Sequence, residues 1–175
     1  MNSLGEVDGV EVLGRGQARS DEQGSRPGRP SFYADPVSWL VADAIGQAAE
    51  QAGTRDLATP AQRDTVAVIT MSEHCTLDTI RTLAAEVQAG RVSPLRFAGA
   101  NPGVVSALPG LLLGFRGPSL TLSMSPSDAL SVALIVARSW LEDGHADRAA
   151  IAAHTVEAGV HVVTAAVVRA PRSTA

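Results

Sequence analysis

Hydrophobic and polar positions alternate between two rhythms along this chain, one of period near 3.6 and one of period 2. Gly9-Val10-Glu11-Val12-Leu13-Gly14 predicts a short first strand. Residues 15–31, rich in Gly, Arg, Ser and Pro, predict a mobile loop. Asp35-Pro36 then opens a helix, with Asp as N-cap and Pro at its first position. Trp39, Leu40, Ala44, Ala48 and Ala52 form its apolar stripe, and Gly53 stops it. Residues 54–64 are polar and predict a linker, whereas the unbroken run Thr65 to Met71 predicts a buried strand. A second helix is expected over 76–89, with Leu77, Ile80, Ala84 and Val87 on one face and Gly90 as its stop. Residues 91–103 predict a loop, and Val104–Leu113 a helix shortened or kinked by Pro109. Residues 119–124 predict a third strand, 128–142 a helix stopped by Gly144, 149–153 a fourth strand and 160–169 a fifth.

The order β-α-β-α-β-α-β-β predicts an α/β fold with a five-stranded mixed, mostly parallel sheet. The short link Glu157-Ala158-Gly159 allows only an antiparallel pairing of the last two strands. One expected helix stands apart. From Ala129 to Ala137 its apolar residues (Leu130, Val132, Ala133, Leu134, Ile135 and Val136 among them) cover every face. A helix apolar all round is covered on more than one side. A single sheet covers one, so a second chain is expected on the other.

Composition narrows the function. At 175 residues one domain spanning 1–175 is expected. Net charge is −4 and argues against a nucleic-acid footprint. All fourteen basic residues are Arg, so Schiff-base chemistry on a lysine is excluded. The single Cys75 excludes an internal disulfide framework and a Cys-based zinc site. No apolar stretch reaches the ~18 residues of a membrane span, and residues 1–13 lack the pattern of a secretory signal. A cytoplasmic protein with neither metal nor cofactor is expected.

Several ordered segments resemble the amino-terminal half of the β-ketoacyl synthases, which have a thiolase-like fold. They are Thr65 to Ser72, Val92-Ser93-Pro94-Leu95-Arg96-Phe97 with Asn101-Pro102, Gly114-Phe115-Arg116-Gly117-Pro118-Ser119-Leu120-Thr121-Leu122, and Gly144-His145-Ala146-Asp147-Arg148-Ala149. The resemblance implies a thiolase-like half-fold over about residues 9–169. In that family a nucleophilic Cys sits in the turn after the third strand; here the matching position is Pro126. Proline carries no nucleophile and no backbone N–H for an oxyanion hole. The family's catalytic histidines belong to a carboxyl-terminal half that follows this stretch. The resemblance therefore implies a protein that is not a condensing enzyme on its own. It implies an accessory subunit, similar to chain-length factors, that works with a synthase or an acyl carrier protein in polyketide or fatty-acid-like biosynthesis. The family's dimers also pair their third strands, which makes Ser119, Leu120, Thr121 and Leu122 the expected contact edge.

The residues keep other outcomes open. Ser123, Ser125 and Ser127 surround the proline, and His74 and His154 follow or end strands at the same sheet edge. A serine with a histidine in reach is a nucleophile–base pair, which would suit hydrolysis, dehydration, isomerisation or cyclisation of a carrier-bound acyl chain. Helix capping is the more economical role for the serines, and packing for His154, which stands where the family usually has glycine. His161 is expected at the surface, and His145 at a helix exit. Arg91, Arg96 and Arg116 are the candidates for steering an acidic carrier protein, against the plain alternative of solvated surface charges. A structural homo-oligomer is the third outcome.

Overall fold

The computed structural model describes residues 9–21, 34–54, 65–91 and 93–171. They form β1 (Glu11–Arg19), α1 (Pro36–Gln51), β2 (Val66–Ser72), α2 (Leu77–Gln88), α3 (Pro94–Gly99), α4 (Val104–Leu113), β3 (Ser119–Leu122), α5 (Pro126–Glu142), β4 (Arg148–Glu157) and β5 (Val160–Arg169). One sheet runs in the order β1-β5-β4-β2-β3. β2 pairs in parallel with β3 and β4, while β5 is antiparallel to both β4 and β1. The β4–β5 hairpin turns on Ala158 and Gly159, both with positive φ (49° and 83°). That is the backbone a two-residue turn needs to match strand twist.

Strand alternation gives the sheet two faces. Val66, Val68, Ala150, Ala152, Val163, Ala165 and Val167 face α1. Ala67, Ile69, Met71, Ala149, Ile151 and Ala153 face α5. On the α1 side, Asp35 caps the helix: one carboxylate oxygen accepts from Val37 N–H (3.0 Å). The other accepts from the backbone N–H and the hydroxyl of Thr79 (both 2.9 Å), tying the start of α1 to α2.

β1 runs through Arg19, so residues 15–19 are strand and not the expected loop. The glycines that suggested a loop serve helix approach instead. A Cβ on Gly14 would stand 2.3 Å from the Ala48 carbonyl oxygen, and one on Gly16 2.0 Å from that of Ala44. Residues 22–31 of that expected loop lie outside the described residues, as do 55–64 of the expected linker.

On the other face α5 buries Ala129, Ala133, Ala137 and Leu141, one residue per turn. Its opposite side presents Val132 and Ile135, the latter 67% exposed. The apolar circumference thus divides into a covered stripe and an open one. α5 starts at Pro126, two residues before the expected Asp128, because Pro at the first turn is compatible with a helix. β3 ends at Leu122 rather than residue 124, so Ser123 and Met124 belong to the strand–helix junction. β4 is longer than expected.

The apolar stripe of α2 is largely open to solvent: Ile80 and Val87 are exposed, and Leu83 is the buried residue. The helix packs chiefly against α3 and not on the sheet, so the sheet cannot cover that stripe. α3 itself was expected as loop. Ser93 caps it, accepting from Arg96 N–H (3.4 Å), and Pro94 fills the first position. No helix among the described residues is long and apolar enough to cross a membrane.

Candidate functional site: a histidine cluster beside the strand-to-helix junction

Ser72 ends β2, His154 lies opposite it on β4, and Val156 lies opposite His161 on β5. By alternation all three side chains belong to the α1 face, so register alone gathers them. Ser72 Oγ and His154 Nδ1 are 2.8 Å apart. The backbone N–H of Cys75 donates to Ser72 Oγ (2.8 Å). That leaves the serine proton free to donate to His154 Nδ1. In the tautomer this favours, His154 carries its proton on Nε2 and donates it to His161 Nδ1, 3.0 Å away. The two rings are parallel to within 8°, with centroids 5.2 Å apart. They meet through one N–H···N bond.

His74 stands edge-on to both, 6.0 Å from His154 and 5.6 Å from His161. His154 is 2% exposed. Burial, and then the neighbouring rings of His161 and His74, push its pKa down to about 4. His154 is therefore a neutral imidazole at pH 7 whose two nitrogens are both engaged.

Cys75 occupies a left-handed turn (φ 45°) just after β2. Its buried thiol donates to the Ser72 carbonyl (2.9 Å) and lies 3.4 Å from Ser123 Oγ. These bonds hold the turn that delivers Ser72 to His154.

The junction of β3 and α5 lies on the other side of the strand ends. Ser125 is the N-cap of α5: its Oγ accepts from Asp128 N–H (3.3 Å) and donates to the Asp128 carboxylate (2.7 Å). Its hydroxyl also lies 2.8 Å from that of Ser127. Pro126 is the first helical residue. Ser125, Pro126, Ser127, His74 and His154 line one cavity of about 560 Å³. Its floor includes Ala153 and Val162, and Glu73 and Glu157 also line it.

Of the expected site residues, the fold brings His74, His154, Ser125 and Pro126 together. Ser123 points its hydroxyl to Cys75 and does not line this cavity. Ser119, Leu120, Thr121 and Leu122 form one of the two edge strands of the sheet. Thr121 is held from α4 by Ser106 (2.7 Å between hydroxyls). Arg96 forms an ion pair with Glu86, and Arg91 and Arg116 are exposed. Among the described residues no group of three or more His, Cys, Asp or Glu is arranged to hold a metal ion.

Sequence reasoning missed Ser72 and placed His161 at the surface. His161 is half-buried and bonded to His154. The parity of Ser72 on β2 and of His161 on β5 was the available signal, but it becomes informative only once the strand register is known.

The fold and the junction together define a ketosynthase-like α/β protein. The model of the β-ketoacyl synthase amino-terminal domain matches residues 23–170, and the chain belongs to that family. A search of the curated proteins returns no significant match. Many solved structures share the fold, three of them as follows. The ishigamide ketosynthase/chain length factor superposes with a TM-score of 0.69 at 16% identity, covering 89% of this chain and 49% of that one. A ketosynthase in complex with its chain length factor from Xenorhabdus doucetiae gives 0.68 at 11% identity, covering 94% and 80%. A type II PKS acyl-carrier protein in complex with its ketosynthase gives 0.67 at 15% identity, covering 93% and 62%. The chain thus spans about half of the first relative's length, 80% of the second's and 62% of the third's. At these identities the likeness establishes a thiolase-like ketosynthase fold.

Proposed function

We propose that this chain is a non-condensing ketosynthase-like subunit that acts by pairing with a β-ketoacyl synthase, on acyl chains carried by an acyl carrier protein, in polyketide or fatty-acid-like biosynthesis. Pro126 carries this reading. It is the first residue of α5, directly after the β3 junction. The family's nucleophile belongs at that place, and proline offers neither a nucleophilic atom nor an N–H.

Two further features favour pairing. β3 is an edge strand whose outer side has no neighbour among the described strands. α5 shows solvent an apolar stripe that includes Val132 and Ile135. Two of the solved relatives are themselves ketosynthase and chain length factor systems.

The second reading is a repurposed acyl enzyme using Ser125 and His154, and the cavity they share favours it. The hydrogen bonds weigh against it. Ser125 is engaged by Asp128 and Ser127, and both nitrogens of His154 are taken by Ser72 and His161. A nucleophile and base need to face each other. Co-expression with a β-ketoacyl synthase from the same organism tests the proposal. The expected result is a stable complex, with no condensation by this chain alone. Condensing activity without a synthase, or a homodimer indifferent to synthase and carrier protein, would overturn it.

A further inference from the structure

The Ser72–His154–His161 chain ties the end of β2, the last β2-paired residue of β4 and the start of β5 at one corner of the sheet. β2 ends at Ser72, opposite His154, so β4 beyond His154 has no β2 neighbour. From Thr155 to Glu157 it is held by β5 on one side only. β1 reaches β5 as far as the Arg19–Val162 pair, and beyond it Ser20 N–H donates to the His161 carbonyl (2.9 Å) while His161 N–H donates to Ser20 Oγ (3.0 Å). The two imidazole bonds therefore sit at the place where the ladder stops supporting the hairpin. The hairpin tip also contributes Thr155, Val156, Glu157 and Val162 to the cavity wall.

Among the described residues, several elements bring charged or titratable groups toward this corner. The turn after β2 brings Glu73, His74 and Cys75, and α2 brings Asp78. The α1 segment brings Asp35 and Asp43, and β1 brings Arg19, paired with Asp21. The tip carries Glu157, and α5 carries Asp128, which is bonded to Ser125. Burial first, and then His161 and His74, oppose a proton on His154. An N–H···N bond between imidazoles needs one bare nitrogen. A second proton on His154 has to enter at Nδ1, where the Ser72 hydroxyl now donates, so that bond must reverse and a charge is placed in a buried site beside two imidazoles.

We infer that the Ser72–His154–His161 chain is an acid-sensitive latch that holds the β4–β5 tip to β2 and releases this wall of the cavity when the cluster takes up protons. This inference stands whether or not the chain pairs with a synthase.

Amide hydrogen exchange by NMR on the full chain, corrected for intrinsic rates, tests it. With His154 at about 4 in the closed form and 6.5 when released, opening should rise about twenty-fold between about pH 7 and about pH 5. The rise should be confined to residues 154–163, with Val66–Met71 of β2 as the reference. His154→Gln should abolish the pH dependence. His161→Phe keeps the ring volume but removes the accepting nitrogen, so the tip should exchange faster already at about pH 7 while β2 is unchanged. A uniform acceleration across the sheet, none at all, or an unaltered tip in His161→Phe would overturn the latch. So would a pH dependence that survives in a folded His154→Gln.

Discussion

The two faces of the sheet are built differently, and the difference separates what folds this chain from what it offers a partner. α1 buries nine of its sixteen residues, among them Val37, Leu40, Val41 and Ile45. It sits so close to β1 that Gly14 and Gly16 leave no room for a Cβ. α5 buries only four residues, three of them alanine, and turns Val132 and Ile135 outward. The first layer is finished from within the chain. The second is a helix with one side on the sheet and an apolar side open, the form expected of an interface.

The comparison breaks most severely at Gly16. Gly16→Val would drive side-chain atoms into the Ala44 carbonyl and the Ala48 N–H region of α1. The expected loss is about 3 kcal/mol or more, read by denaturant unfolding. Acid should act nearly as strongly through His154. Its folded pKa lies below the unfolded value, so the unfolded chain binds more protons between the two. Stability is fully present above about pH 6.5 and falls as pH drops toward about 4, by roughly 3 kcal/mol at most. Thermal melts across that window check this, and a folded His154→Gln variant should flatten the slope.

Next comes Asp35→Ala, which removes the α1 cap and strands the N–H groups of Val37 and Thr79. About 2 kcal/mol is expected by denaturant unfolding. The smallest effect sharpens the comparison. Ile135→Ser on the open side of α5 should change the isolated chain's stability by within about 0.5 kcal/mol while weakening association, read by melting and sedimentation.

Much of this architecture could be read from the residues. β5 falls at 160–169 as its alternating valines predict, and Asp35-Pro36 starts α1 as capping chemistry predicts. The circumference of α5 foretold two different covers, and the structure supplies one of them. Other features depended on contacts distant in sequence. Gly14 and Gly16 look like loop residues until a helix 30 or so positions later is seen resting on them, and α2 has a clean stripe that no sheet meets. The candidate site divides in the same way. His154 and Pro126 could be singled out from their expected places at strand ends, although β4 runs on past His154 to Glu157. Ser72 and His161 could not, because their meeting depends on the register of β2, β4 and β5.

The central claim is that the open side of α5 and the β3 edge receive a synthase subunit. Its most direct test is sedimentation of this chain with a β-ketoacyl synthase from the same organism, using the native sequence and Ile135→Glu in parallel. The native chain should sediment with the synthase as one complex, and Ile135→Glu should remain folded and separate. Equal binding by both, or a native chain that never joins the synthase, would contradict the account.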